Sequence, residues 1–329
     1  MQISCVICTH NPWKDFLQRT LEGLRLQTLP SDQWELLVID NASDTPVERG
    51  LLAWHPRGRV VREDRLGLTH ARTRGIEESS GEVILFVDDD NILREDYLEQ
   101  VLRIHARLPV LGCFGAAVIE PEYEVQPAAE MRPFMSMLAL RSATESHWSN
   151  DPADAFTPWG AGMVVTRRVA EAVAASVRTN PLNEHLDRKG TALNSCGDDE
   201  FSWVACAVGD GRGVFTELRL THLIPKGRIQ KEYLLRLAEG QAYSRTLLWH
   251  MHKQDRSVVR PLASISQLAR LACARDGRKL GTEVMQYIRF MSMDSTRRQF
   301  RRATWQGMQR ARQVISSGTV PGDEARPVQ

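Results

Sequence analysis

Short, continuous apolar runs alternate with segments of helical periodicity along the first third of the chain. The runs are ISCVICT, WELLVID and EVILFVD. They lack the polar and apolar alternation of a strand with one wet face, so they predict strands buried on both sides. The segments PWKDFLQRTLEGLRLQTL, HARTRGIEESS and REDYLEQVLRIHARL carry apolar residues at helical spacing. Strands and helices in this order predict an α/β fold with a mostly parallel central sheet flanked by helices.

Polar clusters follow three of the predicted strands. They are Thr9-His10-Asn11, Asp40-Asn41 and Asp88-Asp89-Asp90. Ligands of parallel α/β sheets bind at the carboxyl ends of the strands. We therefore expect these three clusters to meet at one edge of the sheet and to form a binding site there.

The stretch GEVILFVDDDN places three carboxylates directly behind a core strand. Mg²⁺ and Mn²⁺ prefer oxygen ligands of this kind. In an extended segment Asp88 and Asp90 share one side while Asp89 faces away, so two carboxylates could approach one cation. The alternative is that Asp90 or Asn91 caps a helix beginning near Leu93, but capping needs a single acceptor.

Two further acidic positions have both functional and structural interpretations. Asp40 could accept hydrogen bonds from the base or ribose of a nucleotide, or it could form an Asx-turn through DNASD. In SCGDDEFSW, the acids Asp198, Asp199 and Glu200 could complement the dipole at a helix N-terminus. One of them could instead act as a general base.

Composition fits a globular protein, with 42% hydrophobic and 25% charged residues in 329. No apolar run approaches the roughly 20 residues needed to span a bilayer, and the start MQISCVICTHN lacks the pattern of a signal peptide. The cysteines lie mostly in apolar runs, as free thiols do in a reducing compartment. We expect a cytoplasmic protein.

The C-terminal third is basic and helical, with 19 Lys and Arg against 6 Asp and Glu between Lys226 and Arg312. We expect a helical module over residues 226–315 and a disordered tail over 316–329. One helix, DSTRRQFRRATWQGMQRARQVI, places apolar residues on one face: Phe300, Trp305, Met308 and Val314. Such a helix could lie peripherally on a membrane, pack on the rest of the chain, which is acidic, or pair with another subunit as a homo-oligomer. No recognised module indicates nucleic-acid binding.

Six ordered elements resemble the family 2 glycosyltransferases, which have the GT-A fold. They are VICTHNP, LLVIDNASD, REDRLGLTHARTRGI, ILFVDDDN, PWGAGMVVTRR and CGDDEFSWVACAVG. The resemblance runs from Ile3 to about Arg228. It implies a catalytic domain over residues 1–225, with a nucleotide-sugar half over about 1–118 and an acceptor half over about 119–225. The chain departs from the usual pattern at Leu66 and Thr73.

The resemblance also implies roles for individual residues. Around the nucleotide sugar it places Thr9, Asn11, Asp40, Arg72, Asp88, Asp89 and Arg228. As ligands of Mn²⁺ or Mg²⁺ it implies Asp88 and Asp90, the D-x-D pair, together with His222. Beside the donor sugar and the acceptor it places Trp159, Gly160, Ala161 and Gly162. As the general base it implies Asp199, preceded by Asp198 where the family usually has glutamate.

The function implied is inverting transfer of a sugar from a nucleotide-diphosphate donor, with UDP favoured, to a glycan or lipid-linked acceptor in polysaccharide or glycan assembly. A non-catalytic nucleotide-sugar-binding or scaffold protein is an alternative, although such a chain could lose either acidic cluster. A sugar-phosphate nucleotidyltransferase would want a glycine-rich basic loop after the first strand, which CTHNPWKD lacks.

Overall fold

The computed structural model describes residues 2–254, 256–257, 262–263, 265–274 and 277–318. Strands and helices alternate through the first third of the chain, as the apolar runs predict. In order they are β1 (Ile3–Thr9), α1 (Lys14–Arg25), β2 (Trp34–Asn41), β3 (Gly58–Glu63), α2 (Leu68–Glu78), β4 (Val83–Asp88), β5 (Asn91–Leu93) and α3 (Tyr97–Arg107).

The remaining strands complete the sheet, and helices dominate after residue 225. These elements are β6 (Leu111–Tyr123), β7 (Arg141–Ser142), β8 (His147–Ser149), β9 (Met163–Thr166), α4 (Arg167–Thr179), α5 (Gly197–Ala207), β10 (Gly211–Ile224), α6 (Lys231–Met251), α7 (Ile265–Cys273), α8 (Gly277–Ser292) and α9 (Ser295–Ser317). The segment 119–158 contains the end of β6 and the two short strands β7 and β8.

The strands form one mixed sheet in the order β3-β2-β1-β4-β9-β6-β10-β5, with β7 beside β6 and β8 beside β10. Pairing is parallel from β3 to β4 and between β6 and β10, whereas β9 runs antiparallel to both of its neighbours. Thr9 lies opposite Asp40, and Cys8 lies opposite Asp88. The α/β fold with helices on the sheet is confirmed, and the three polar clusters end adjacent strands.

Both faces of the central strands are buried, which explains their continuous apolar sequences. On β4, Leu85 and Val87 belong to the core cluster on one side of the sheet, while Ile84 and Phe86 belong to the cluster on the other. The strand β4 therefore ends between two apolar layers, and Asp88 is its last residue.

The helix after the aspartates begins later than the capping interpretation required. Asn91–Leu93 is a strand, and α3 begins at Tyr97 with Asp96 at its N-cap. A helix beginning near Leu93 is therefore ruled out, and neither Asp90 nor Asn91 serves as a helix cap.

The helix α9 packs lengthwise on α6. Phe300 lies in a core cluster with Leu234 and Leu237, and Val314 lies in another with Leu247. Met308 is fully buried, whereas Trp305 is only partly so. The apolar face that suggested a membrane helix is thus largely covered by the rest of the chain.

Two sequence-based expectations concern the C-terminal end and the membrane. α9 continues to Ser317, so residues 316 and 317 are helical, while 319–329 of the predicted tail lie outside the described residues. Within the described ranges, no helix is both long enough and apolar enough to cross a bilayer.

Candidate active site

A cavity of about 520 Å³ opens at the carboxyl ends of the central strands. Its walls include most of the residues singled out in the sequence: Thr9, Arg72, Asp88, Asp89, Asp90, Trp159, Gly160, Ala161, Asp198, Asp199, His222 and Arg228. The two acidic clusters are about a hundred residues apart in the chain, yet they face one space. Its volume lies within the range of small-molecule sites.

All three aspartates behind β4 line this cavity, because the strand ends at Asp88 and the chain then turns. Thr9 donates a hydrogen bond to Asp89. The carbonyl of Asp90 accepts a hydrogen bond from the Leu223 amide at 2.8 Å, which fixes this turn to β10. The chain therefore does not continue as an extended strand, in which Asp89 would face away from Asp88 and Asp90. All three side chains face the same cavity.

Asp90 has two basic partners. The Arg228 guanidinium donates to Asp90 Oδ2 at 2.6 Å, and His222 Nε2 lies 3.5 Å from Asp90 Oδ1. Register places His222 opposite Asn91, next to the aspartates. Although burial acts to raise the pKa of Asp90, the charges of Arg228 and His222 hold it well below its usual range.

For Asp88 and Asp89 the lowering effect of nearby arginines and of Thr9 does not offset burial. Burial, and then the charge of Asp90, raise the pKa of Asp88, and the same two causes raise the pKa of Asp89 to about 7. This excess of buried acid is what a bound divalent cation would relieve.

The residues fit Mg²⁺ or Mn²⁺ in their chemistry, since they offer carboxylate oxygens and an imidazole. His222 Nδ1 is also a buried nitrogen without a hydrogen-bond partner. The cation that meets Asp90 in the structure is Arg228, however. Across the part of the chain that the structure describes, no group of three or more His, Cys, Asp or Glu side chains is arranged to hold a metal ion.

The second acidic cluster lies in the first turn of α5. Asp198 Oδ2 accepts a hydrogen bond from the Gly160 amide at 2.9 Å. Asp199 Oδ2 lies 3.6 Å from Arg245 Nη2 of α6. Both carboxylates line the cavity, whereas Glu200 points into the protein and contacts His252 Nε2 at 2.6 Å. The helix-terminus location and the catalytic interpretation are therefore compatible.

Arg72 lies buried between the two acidic clusters. Its Nη1 donates to Asp187 Oδ2 at 3.0 Å, and both side chains are less than 10% exposed. Burial acts to lower the pKa of Arg72, but Asp187, Asp198 and Asp88 together raise it. The guanidinium is thus fixed in its charged form at the cavity wall.

The segment WGAGM contributes differently at each position. Gly160 lies so close to Arg72 that a side chain there would clash with the guanidinium. Gly162 does not line the cavity: it has φ of +71°, and its carbonyl accepts a hydrogen bond from Tyr97 Oη at 2.7 Å. Trp159 lines the cavity and is covered by the Arg141 guanidinium, 3.8 Å from the ring centroid.

Two predicted nucleotide contacts lie outside the cavity lining. Asn11, with φ of 49°, donates a side-chain hydrogen bond to Asp44 beside the cavity. Its neighbour His10 lines the cavity instead. Asp40 is buried and accepts hydrogen bonds from the Ser43 and Val47 amides and from Arg62. The bond to Ser43 matches the turn that was the alternative for Asp40.

Several lining residues were not identified in the sequence: Asp187, Arg188, Tyr233, Gln241 and Arg245, whereas Asn41 belongs to one of the predicted polar clusters. Asn41 binds the Gly67 amide and the Arg65 carbonyl, and so fixes the loop that leads into α2. Tyr233, Gln241 and Arg245 belong to α6, whose helical pattern does not reveal which side faces a site.

The family model for glycosyl transferase family 2 matches residues 4–172, about half of the chain. The putative glycosyltransferase EpsH of Bacillus subtilis is 30% identical over 104 residues, which are 31% of this chain and 29% of that protein. The glycosyltransferase AglE of Haloferax volcanii is 28% identical over 102 residues, 30% of this chain and 33% of AglE. The match thus spans about a third of either relative.

Among solved structures, the mannosyltransferase PcManGT from Pyrobaculum calidifontis, in complex with GDP-Man and Mn²⁺, aligns with a TM-score of 0.54 and 16% identity. The alignment covers 98% of this chain and 88% of that one. This likeness is one of fold, a GT-A arrangement of sheet and helices. The family match over half of the chain identifies it as a member of glycosyltransferase family 2.

Proposed function

We propose that this protein transfers a sugar, with inversion, from a nucleotide-diphosphate donor to an acceptor hydroxyl. The observation that carries the proposal is the meeting of two acidic clusters and a buried arginine in one cavity of about 520 Å³. The first cluster offers what a metal-bound diphosphate needs, and the second offers a base for the acceptor. Family membership supports the same reaction class.

In the proposed reaction, Asp199 takes the proton of the acceptor hydroxyl as its oxygen attacks the anomeric carbon. The bond from that carbon to the diphosphate oxygen breaks on the opposite side, so the configuration inverts. A general base of this kind contributes about 10²–10⁴-fold to the rate. Arg245, 3.6 Å from the Asp199 carboxylate, orients it in the cavity.

Arg72 and Arg228 supply fixed positive charge for the leaving diphosphate. Asp88, Asp90 and His222 would hold Mn²⁺ or Mg²⁺, which when bound offsets negative charge on that group. Arg228 contacts Asp90 directly, so its charge lies beside the carboxylate that would hold the metal. Trp159 provides an apolar ring against which an acceptor sugar can stack.

A UDP-sugar is the favoured donor, and a glycan or lipid-linked acceptor is the favoured partner, in polysaccharide or glycan assembly. PcManGT was solved with GDP-Man and Mn²⁺, so a guanine nucleotide belongs in the same test. In this proposal, contacts around Asp40 and Asn11 decide which nucleotide base is bound. Asp40 already accepts hydrogen bonds from the Val47 amide and from Arg62, so it must give up one of them to bind a base.

The proposal is tested by titrating the purified protein with UDP, GDP and dTDP in a calorimeter, with and without Mn²⁺. We expect one nucleotide to bind, only with the metal, and Asp90→Ala to abolish that binding. Asp199→Asn should bind the nucleotide as the wild type does and lose turnover by about 10²–10⁴-fold. Absence of any metal-dependent nucleotide binding would overturn the donor site, whereas near-normal turnover of Asp199→Asn would overturn the base.

A further inference from the structure

The helix α8 presents a stripe of apolar side chains to solvent. Val284, Met285, Ile288 and Met291 are 43%, 50%, 53% and 66% exposed. Their spacing of one, four and seven residues from Val284 puts them on one side of the helix. Four large apolar side chains grouped in this way are more than the scattered exposure expected of an ordinary surface.

The other side of α8 faces the rest of the protein. Glu283 is only 7% exposed, and Tyr287 Oη donates a hydrogen bond to the Ala263 carbonyl. Leu280 and Phe290 are partly buried on the same side, with the Arg301 guanidinium 5.9 Å from the Phe290 ring centroid. The stripe is therefore the outward face of an attached helix.

Charge around the stripe has one sign. Within 265–274 and 277–318 the acidic residues are Glu283, which is buried, and Asp294, which caps α9 by accepting the Arg297 amide at 2.7 Å. Arg278 and Arg289 are exposed and follow helical spacing with Met285, so they border the stripe on one side.

We propose that α8 docks the protein on an anionic lipid surface, with the stripe among the acyl chains and Arg278 and Arg289 at the headgroups. A helix with an apolar face bordered by arginines has the composition of an interfacial helix. A second copy of this chain is disfavoured as occupant, because a symmetric contact would bring the same arginines together. None of the residues that line the cavity belongs to α8, so this surface is separate from the proposed active site.

The test is flotation of the full-length protein with vesicles of phosphatidylcholine, with and without phosphatidylglycerol, at low and high salt. We expect binding to the anionic vesicles that weakens as salt rises. Ile288→Ser combined with Met291→Ser, and separately Arg278→Gln combined with Arg289→Gln, should each lower vesicle binding by about tenfold or more. Leu26→Ser combined with Val110→Ser is the matched control, because both side chains are exposed apolar groups of the catalytic region.

Failure of the wild type to bind anionic vesicles would overturn the proposal, as would equal binding by all variants. So would a dimer in light scattering that the serine pair converts to monomer, since the stripe would then cover a second copy. Thermal melts check that the variants fold. Metal-dependent nucleotide binding, measured on the same samples, separates this inference from the proposed function: it should be unchanged in every α8 variant.

Discussion

The two neighbouring acids at the start of α5 sit in different surroundings. The Asp198 carboxylate accepts hydrogen bonds from the backbone amides of Gly160 and Asp199, each at 2.9 Å. Asp199 instead faces the Arg245 guanidinium across the cavity wall. Neighbouring carboxylates in unlike surroundings commonly take different roles. These contacts favour Asp198 as the residue that fixes the loop at Gly160, and leave Asp199 as the one available to an acceptor.

Asp198 should make the stability of the protein depend on pH. Burial, and then the charge of Asp199, raise its pKa to about 7, against about 3.9 in an unfolded chain. Between about pH 4 and pH 7 the folded protein therefore retains a proton that the unfolded chain has released, so this group lowers the free energy of unfolding as pH rises. Above pH 7 its contribution is constant.

Asp198→Asn removes this titration and keeps an acceptor for the Gly160 amide. We expect its free energy of unfolding, relative to wild type, to rise between about pH 4 and pH 7 and then to level off. Urea unfolding at a series of pH values measures this difference, with Asp32→Asn on the exposed surface as control. A difference that stays flat across that window would show that Asp198 titrates normally.

For single residues, the sequence predicts where a side chain lies in the fold better than it predicts which groups that side chain contacts. The structure brings the three aspartates, which end a core strand, and the pair Asp198 and Asp199, which begin a helix, to one cavity; the roles expected of them stay predictions. Asp187 and Arg245 were missed, because what brings them to the cavity is a loop and a helix face with no local signature. The bonds that Asp40 makes within its own turn were equally invisible.

The contact between α6 and α9 depends on one glycine. A side chain at Gly307 would clash with the Glu239 carbonyl oxygen and approach the Tyr243 amide. Around this point Arg310 pairs with Glu239 at 2.9 Å and lies 4.4 Å from the Tyr243 ring centroid. The two helix backbones thus approach closely here.

Gly307→Ala should therefore force α9 away from α6 and lower the free energy of unfolding by about 1–3 kcal/mol, despite the better helix propensity of alanine. Gly281→Ala on α8 is the matched control, because nothing lies within 4 Å of its added methyl group. We expect that control to be neutral or stabilising by up to about 1 kcal/mol. Chemical denaturation measures both, and equal stability of the two variants would mean that the helices do not approach so closely.

Among whole elements, the long periodic ones were predictable. The apolar runs identified β1, β2 and β4 because burial on both faces leaves a plain signal. The strand β5 has only three residues, too few to give a recognisable apolar pattern. The position of β9, antiparallel between β4 and β6, depends on tertiary pairing that the local sequence does not reveal. The face of α9 was read correctly as apolar, but a sequence cannot say whether lipid or α6 covers it.

For the whole molecule, the sequence suggested a catalytic domain ending near residue 225 and a separate basic module. In the structure, α6 supplies three lining residues of the cavity: Tyr233, Gln241 and Arg245. The Tyr233 hydroxyl accepts a hydrogen bond from Arg188 at 3.1 Å, which joins α6 to the loop before α5. Arg245 of α6 also pairs with Asp199 of the catalytic part, so the division by composition does not divide the site.

A chain ending at residue 225 should consequently lose nucleotide binding, because it lacks Arg228 and the cavity wall that α6 forms, and exposes the apolar residues that α6 covers. Calorimetry with the nucleotide that binds the full chain measures this, and full affinity in the short chain would show that α6 is dispensable.

Arg245→Gln in the full chain separates chemistry from folding. If α6 orients Asp199 through this guanidinium, the variant should melt normally, bind nucleotide normally and turn over up to about 100-fold more slowly. If α6 only encloses the cavity, turnover should stay at the wild-type rate.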